Sequence, residues 1–171
     1  IILPFYNEAG TVRDLFQRLY PVLSRLGLSY EIVFIDDGST DPTYSLLCHE
    51  REHDLRIKAI RFTRNFGKEA ALTCGLQRAR GRAAITLDSD LQHPPEIIPQ
   101  LVMAWQGGAK MVYAIRRNRD TDTDFRKFSS KLFYLAFRHA AEIRLPEGAG
   151  DFRLLDRVVI DAVNALPERT R

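Results

Sequence analysis

The feature that most constrains the fold is a repeated switch of hydrophobic period: short apolar runs of strand length alternate with longer segments whose apolar residues recur at helical spacing. Leu15, Leu19, Val22 and Leu26 mark a helix over 11–26 that ends at Gly27, with Pro21 inside it as an expected kink or break. The remaining helices are expected over 42–53, 68–79, 95–105, 125–143 and 157–166. Strands are expected over 1–3, 31–35, 56–62, 83–87, 111–115 and, as a shorter run, 152–155. The 31–35 run is almost continuously apolar, as in a strand covered on both faces. A β-to-α crossover is nearly always right-handed, so the pattern predicts an α/β fold with a doubly wound, mostly parallel sheet flanked by helices.

At 171 residues the chain is long enough for one well-cored domain, and the whole of 1–171 reads as a single domain. A net charge of +3 speaks against a general nucleic-acid binder, although Arg116, Arg117, Arg119, Arg126, Lys127 and Lys131 crowd one segment. Cys48 and Cys74 fit no metal spacing and read as packed, reduced thiols. The longest purely apolar stretch, 132–137, is far below the roughly 18 residues of a membrane span. The abrupt start at Ile1, inside a strand, and the stop at Arg171 read as those of a piece of a longer protein, whose other part could hold membrane helices.

In an open α/β sheet the ligand sits at the carboxyl ends of the strands. Asp88 and Asp90 stand there, after the 83–87 strand and before Pro94 and Pro95. Two carboxylates at i and i+2 on a strand-to-loop bend can approach one hard divalent cation, which favours oxygen ligands. The same spacing recurs at Asp120, Asp122 and Asp124, but in a polar stretch with no preceding strand, where solvated loop acids are expected. Neither G-x-G-x-x-G nor G-x-x-x-x-G-K-[ST] occurs, so a bound nucleotide must be held by side chains and a metal. Tyr6 can flank a base, Asp37 can accept hydrogen bonds from its edge, and Glu8 can hold a ribose hydroxyl. Each has a plain alternative: Tyr6 as a packed ring, Glu8 as a helix-entry acid, and the neighbouring Asp36 as a turn former.

Five motifs carry a family resemblance: LPFYNE (3–8), FIDDGSTD (34–41), RNFGKEAAL (64–72), LDSDLQHPPE (87–96) and GAGDFRLLDR (148–157). The chain resembles the inverting nucleotide-sugar glycosyltransferases of family 2, with the GT-A fold. More narrowly it resembles the polyprenyl-phosphate glycosyltransferases, the group of dolichyl-phosphate mannose synthases and bactoprenol glucosyltransferases. The resemblance implies that Pro4, Tyr6, Glu8 and Asp37 contact the nucleoside of a UDP- or GDP-hexose, with Asn7 and Lys68 completing the donor-binding set. It places Mg²⁺ or Mn²⁺ at Asp88, Asp90 and Gln92, and Arg116, Arg126 and Ser130 around the donor and acceptor phosphates. His93 stands where the family often has Asp, and Ser89 where it has Ala; neither change removes an expected ligand.

The implied acceptor is a polyprenyl phosphate at the cytosolic face of a membrane, with oligomer formation left open. A phosphate oxygen is already anionic, so the site has to align it and stabilise the departing diphosphate rather than supply a strong base. Direct displacement inverts the anomeric carbon. Arg116 and Arg126 suit phosphate recognition through the guanidinium fork, and the basic segment also suits anionic lipid headgroups. Asp151 is expected to act as a base toward a hydroxyl acceptor, or to orient the acceptor or the sugar when the acceptor is a lipid phosphate; a strand cap or a pair with Arg153 is the plain alternative. Transfer to a saccharide or protein hydroxyl, and a catalytically silent sugar-nucleotide binding module, stand as alternatives.

Overall fold

A computed structural model describes residues 1–115 and 149–166. The chain divides into two compact units, Ile1–Ala114 with Asp151–Arg171, and Ile115–Gly150. Almost all described residues belong to the first. Its order is β1 (Ile2–Phe5), α1 (Ala9–Leu26), β2 (Ile32–Asp36), α2 (Thr43–His53), β3 (Ile57–Arg61), α3 (Lys68–Arg78), β4 (Ala83–Thr86), a 3₁₀ turn (Pro95–Ile97), α4 (Ile98–Gln106), β5 (Met111–Ile115), β6 (Ala149–Asp156) and α5 (Arg157–Ala165).

The sheet runs β3-β2-β1-β4-β6-β5. Strands β1 to β4 pair in parallel, with Ile2 opposite Val33 and Val33 opposite Lys58. The sheet is mostly parallel, as expected, with β6 pairing antiparallel to β4 and Ala84 opposite Leu155. The crossover rule governs a strand reached directly through a βαβ step, and β6 ends a long connection that begins at β5.

Every residue of β1 and β2 is buried, and successive side chains enter different layers. Leu3, Phe5, Ile32 and Phe34 pack with Leu15, Phe16 and Leu19 of α1. Ile2, Val33 and Ile35 pack with Ala71, Leu72 and Leu76 of α3 and Ile160 of α5. The sheet is therefore covered on both faces, as continuous apolar strands require. A Cβ on Gly75 would run into Ile2 Cγ2 and lie 2.9 Å from Ile35 Cδ1, so α3 sits flush on the sheet.

Pro21 does not split α1. It is exposed, as is Gln17, whose carbonyl it leaves without an N–H, so water can take that acceptor while Leu19, Val22 and Leu23 hold the helix down. Among the described residues no helix is long and apolar enough to cross a membrane.

Candidate active site

Three loops meet at the carboxyl ends of the central strands, and hydrogen bonds tie two of them together. After β1 the chain turns through Tyr6, Asn7 and Glu8, with Asn7 at φ 54°, a left-handed conformation that Asn tolerates better than most residues. Asn7 N–H donates to Ser39 Oγ at 2.9 Å, and its side-chain Oδ1 accepts from Thr40 N–H at 2.9 Å. Glu8 N–H donates to Thr43 Oγ1 at 2.9 Å and Ala9 N–H to Asp41 Oδ2 at 3.1 Å. Glu8 occupies the N-cap position of α1 without making a side-chain cap, so the neighbouring loop meets the orphan donors instead. Desolvation pushes the Asp41 carboxyl up, but hydrogen bonds from the Thr43 hydroxyl and N–H and from Ala9 N–H outweigh it and hold the group below the ordinary carboxylate range.

The loop after β3 is held by Asp37. This carboxylate is only 3% exposed and accepts from Phe66 N–H at 2.7 Å and Gly67 N–H at 2.9 Å. Each oxygen keeps a second lone pair, so acceptor capacity remains. Gly38 lets the two loops touch: with φ at 72°, a Cβ there would lie 2.7 Å from the Arg64 Cα. Asp36 is a structural acid, fully buried, with Oδ1 accepting from Ser39 N–H at 3.3 Å and Oδ2 3.2 Å from Arg61 Nε.

Directly after this held loop, Lys68 opens α3 and places its Nζ 2.6 Å from Asp88 Oδ1. Asp88 and Asp90 follow β4. Asp90 Oδ1 accepts from Gln92 N–H at 3.0 Å across Leu91, which has φ 60°. The two non-glycine residues with positive φ among those described, Asn7 and Leu91, thus sit in loops that rim the same space. Backbone strain of this kind clusters where the surroundings hold it for a purpose.

That space is a cleft of about 200 Å³ lined by Pro4, Phe5, Tyr6, Glu8, Asp37, Lys68, Ala71, Asp88, Ser89 and Asp90. Seven residues singled out in the sequence therefore converge: Pro4, Tyr6, Glu8, Asp37, Lys68, Asp88 and Asp90. Tyr6 is 45% exposed and is not a packed core ring. Asn7 and Gln92 are not among the lining residues; Asn7 spends its side-chain oxygen on the neighbouring loop, and Gln92 is exposed. Asp151 lies in β6, and of it only the backbone is described. Arg116, Arg126 and Ser130 lie outside the described residues. The cross-loop roles of Ser39, Asp41 and Thr43 escaped the sequence reading, because S-T-D-P-T looks like turn chemistry and its partners sit more than thirty residues away.

Among the described residues, four carboxylates and one ammonium line the cleft. Among the described residues no group of three or more His, Cys, Asp or Glu could hold a metal by itself. The donor set at Asp88 and Asp90 still fits Mg²⁺ or Mn²⁺, because such ions commonly take one or two carboxylates and fill their other positions with water and substrate phosphate.

The central parallel strands, the antiparallel β6 and the rim cleft define the molecule as a GT-A domain. It superposes on a mannosyltransferase from Pyrobaculum calidifontis in complex with GDP-Man and Mn²⁺ at TM-score 0.66 and 22% identity, over 97% of this chain and 46% of that one. Glucosyl-3-phosphoglycerate synthase from Mycobacterium tuberculosis gives TM-score 0.61 at 22% identity, over 92% of this chain and 56% of that one. The chain belongs to glycosyl transferase family 2, whose sequence profile matches residues 1–163. An uncharacterized glycosyltransferase of Synechocystis is 45% identical over all of this chain and 54% of its own length. The bactoprenol glucosyl transferase of Shigella phage SfV is 41% identical, over 99% of this chain and 55% of its own. The chain spans about half the length of these curated relatives.

Proposed function

We propose that this domain transfers a hexose from a UDP- or GDP-sugar to a polyprenyl phosphate, with inversion and with Mg²⁺ or Mn²⁺, at the cytosolic face of a membrane. The observation that carries the donor half is the convergence of Tyr6, Glu8, Asp37, Lys68, Asp88 and Asp90 on one cleft at the carboxyl ends of parallel strands. The acceptor half rests on the likeness to bactoprenol glucosyl transferases.

Tyr6 offers a half-exposed ring for the base, the remaining lone pairs of Asp37 accept from the base edge, and Glu8 accepts from the ribose. Lys68 places a positive charge where the diphosphate would lie, and Asp88 and Asp90 hold the cation, with Gln92 beside them. When bound, that cation supplies charge stabilisation to the leaving diphosphate. Arg116, Arg126 and Ser130 bind the donor and acceptor phosphates, and Asp151 orients the acceptor oxygen against the anomeric carbon.

The test is incubation of the full-length protein with labelled UDP- and GDP-sugars, polyprenyl phosphate and Mn²⁺. A labelled glycolipid with inverted configuration is expected, and its absence in every donor combination sinks the reading. Asp151→Asn is expected to lose turnover while donor binding stays intact; unchanged turnover removes Asp151 from the mechanism.

A further inference from the structure

The cleft has a charge problem. Among the described residues its lining carries Glu8, Asp37, Asp88 and Asp90 against Lys68, a formal excess of three negative charges, yet the proposed donor is itself a diphosphate. Like charges brought together in a half-enclosed site repel strongly, so added positive charge favours entry of the donor. Lys68 and Asp88 already neutralise one another at 2.6 Å, with Asp88 19% and Lys68 41% exposed at the side chain.

We propose that Lys68 is an exchangeable counter-cation for Asp88. In the donor-free protein its ammonium covers the carboxylate oxygen that the divalent cation takes in the loaded site. On loading, the ammonium passes to the donor diphosphate, so that cation and donor bind as a coupled pair. This rests on the donor site proposed above and adds its order of assembly.

The backbone suits a swinging side chain on a fixed base. Asp37 grips Phe66 N–H and Gly67 N–H immediately before Lys68, and the flush packing of Gly75 holds α3 to the sheet. The lysine stem has four flexible carbons and ends in a point charge, which can serve two oxygen partners in turn without a set angle. A cation arriving without donor must displace the ammonium from Asp88. A cation arriving with donor gives the ammonium a new anion. The two ligands therefore strengthen one another's binding, by equal factors in both directions.

The experiment is a Mn²⁺ titration followed by electron paramagnetic resonance on the full-length protein, without donor and then with saturating UDP or GDP. In the absence of nucleotide, Lys68→Met is expected to bind Mn²⁺ about three- to tenfold more tightly than wild type, because the competitor for Asp88 is gone. Lys68→Gln gives the same sign with a polar side chain, and the gain disappears when Asp88→Asn is added to Lys68→Met. With nucleotide, the mutual tightening seen in wild type shrinks in both Lys68 variants. Thermal unfolding confirms that the variants are folded. Equal or weaker Mn²⁺ binding by both variants without nucleotide overturns the exchange. That arm contains no donor, so it is separate from failure of the transferase reading, which shows as absent nucleotide binding and absent glycolipid.

Discussion

The two ends of the sheet are built on opposite principles. At the amino end lies a cavity of about 260 Å³, walled mainly by aliphatic and aromatic side chains such as Leu23, Leu26, Ile85, Ile98, Val102 and Trp105. Its nearby charges are consumed in fixed partnerships. Asp156 accepts from Trp105 Nε1–H at 2.7 Å and from Val158 N–H at 3.1 Å, and Glu31 pairs with Lys58. At the carboxyl end the cleft is smaller, but half of its ten lining residues are ionisable acids or Lys68. A void between apolar layers reports how the helices pack, whereas charged groups turned toward a shared space report chemistry; convergence of polar groups, not size, marks the site.

Substitutions at the two ends should separate along that line. The largest effect is expected at the carboxyl end, where Asp90→Asn removes a proposed cation ligand from an exposed turn. Turnover in the glycolipid assay should fall on the order of 10²–10³-fold, with the urea midpoint close to wild type. Full activity would erase the distinction between the two ends. Asp37→Ala comes next and affects both properties, since it leaves Phe66 N–H and Gly67 N–H without their acceptor. A loss of roughly 2–3 kcal/mol in urea unfolding is expected, together with weaker nucleotide binding by titration calorimetry.

The smallest effect belongs to the amino end and shows in how stability depends on pH. The Trp105 N–H, with Val158 N–H and Lys110, holds the Asp156 carboxyl below the ordinary carboxylate range despite some desolvation. A depressed folded-state pKa stabilises the fold above the unfolded value and loses that contribution as pH falls through the folded value. Wild type should therefore lose stability as pH drops below about 4. Asp156→Asn should show a shallower decline in urea midpoint between pH 6 and pH 3, with donor KM unchanged at neutral pH.

Much of this contrast was legible in the chain, unevenly. Strands and helices of the first half fall within a residue or two of their hydrophobic runs, because β1 and β2 are buried on both faces and cannot hide their pattern. The orientation of β6 was not legible: an apolar run shows that a strand exists but not which neighbour it pairs with or in which direction. At the site, residue type located Tyr6, Glu8, Asp37, Asp88 and Asp90. It assigned Asp37 to the cleft and Asp36 to the turn, but could not show that Asp36 is buried against Arg61. Nor could it show that Asn7 is a strut between loops, because hydrogen bonds spanning more than thirty residues have no local signature.

Gly75 makes the lysine at the cleft answer to a position far from it. It lies seven residues along α3 from Lys68, roughly 10 Å at the helical rise. A methyl group there would work as a shim beneath a rigid rod, since the contact it meets is the β-branched side chain of Ile2 in the central strand. Tilting the rod by ~10° about that point carries its far end by about 2 Å, a displacement the flexible lysine stem would have to take up to keep Asp88. The base from which Lys68 reaches into the cleft is thus set by a residue that has no side chain.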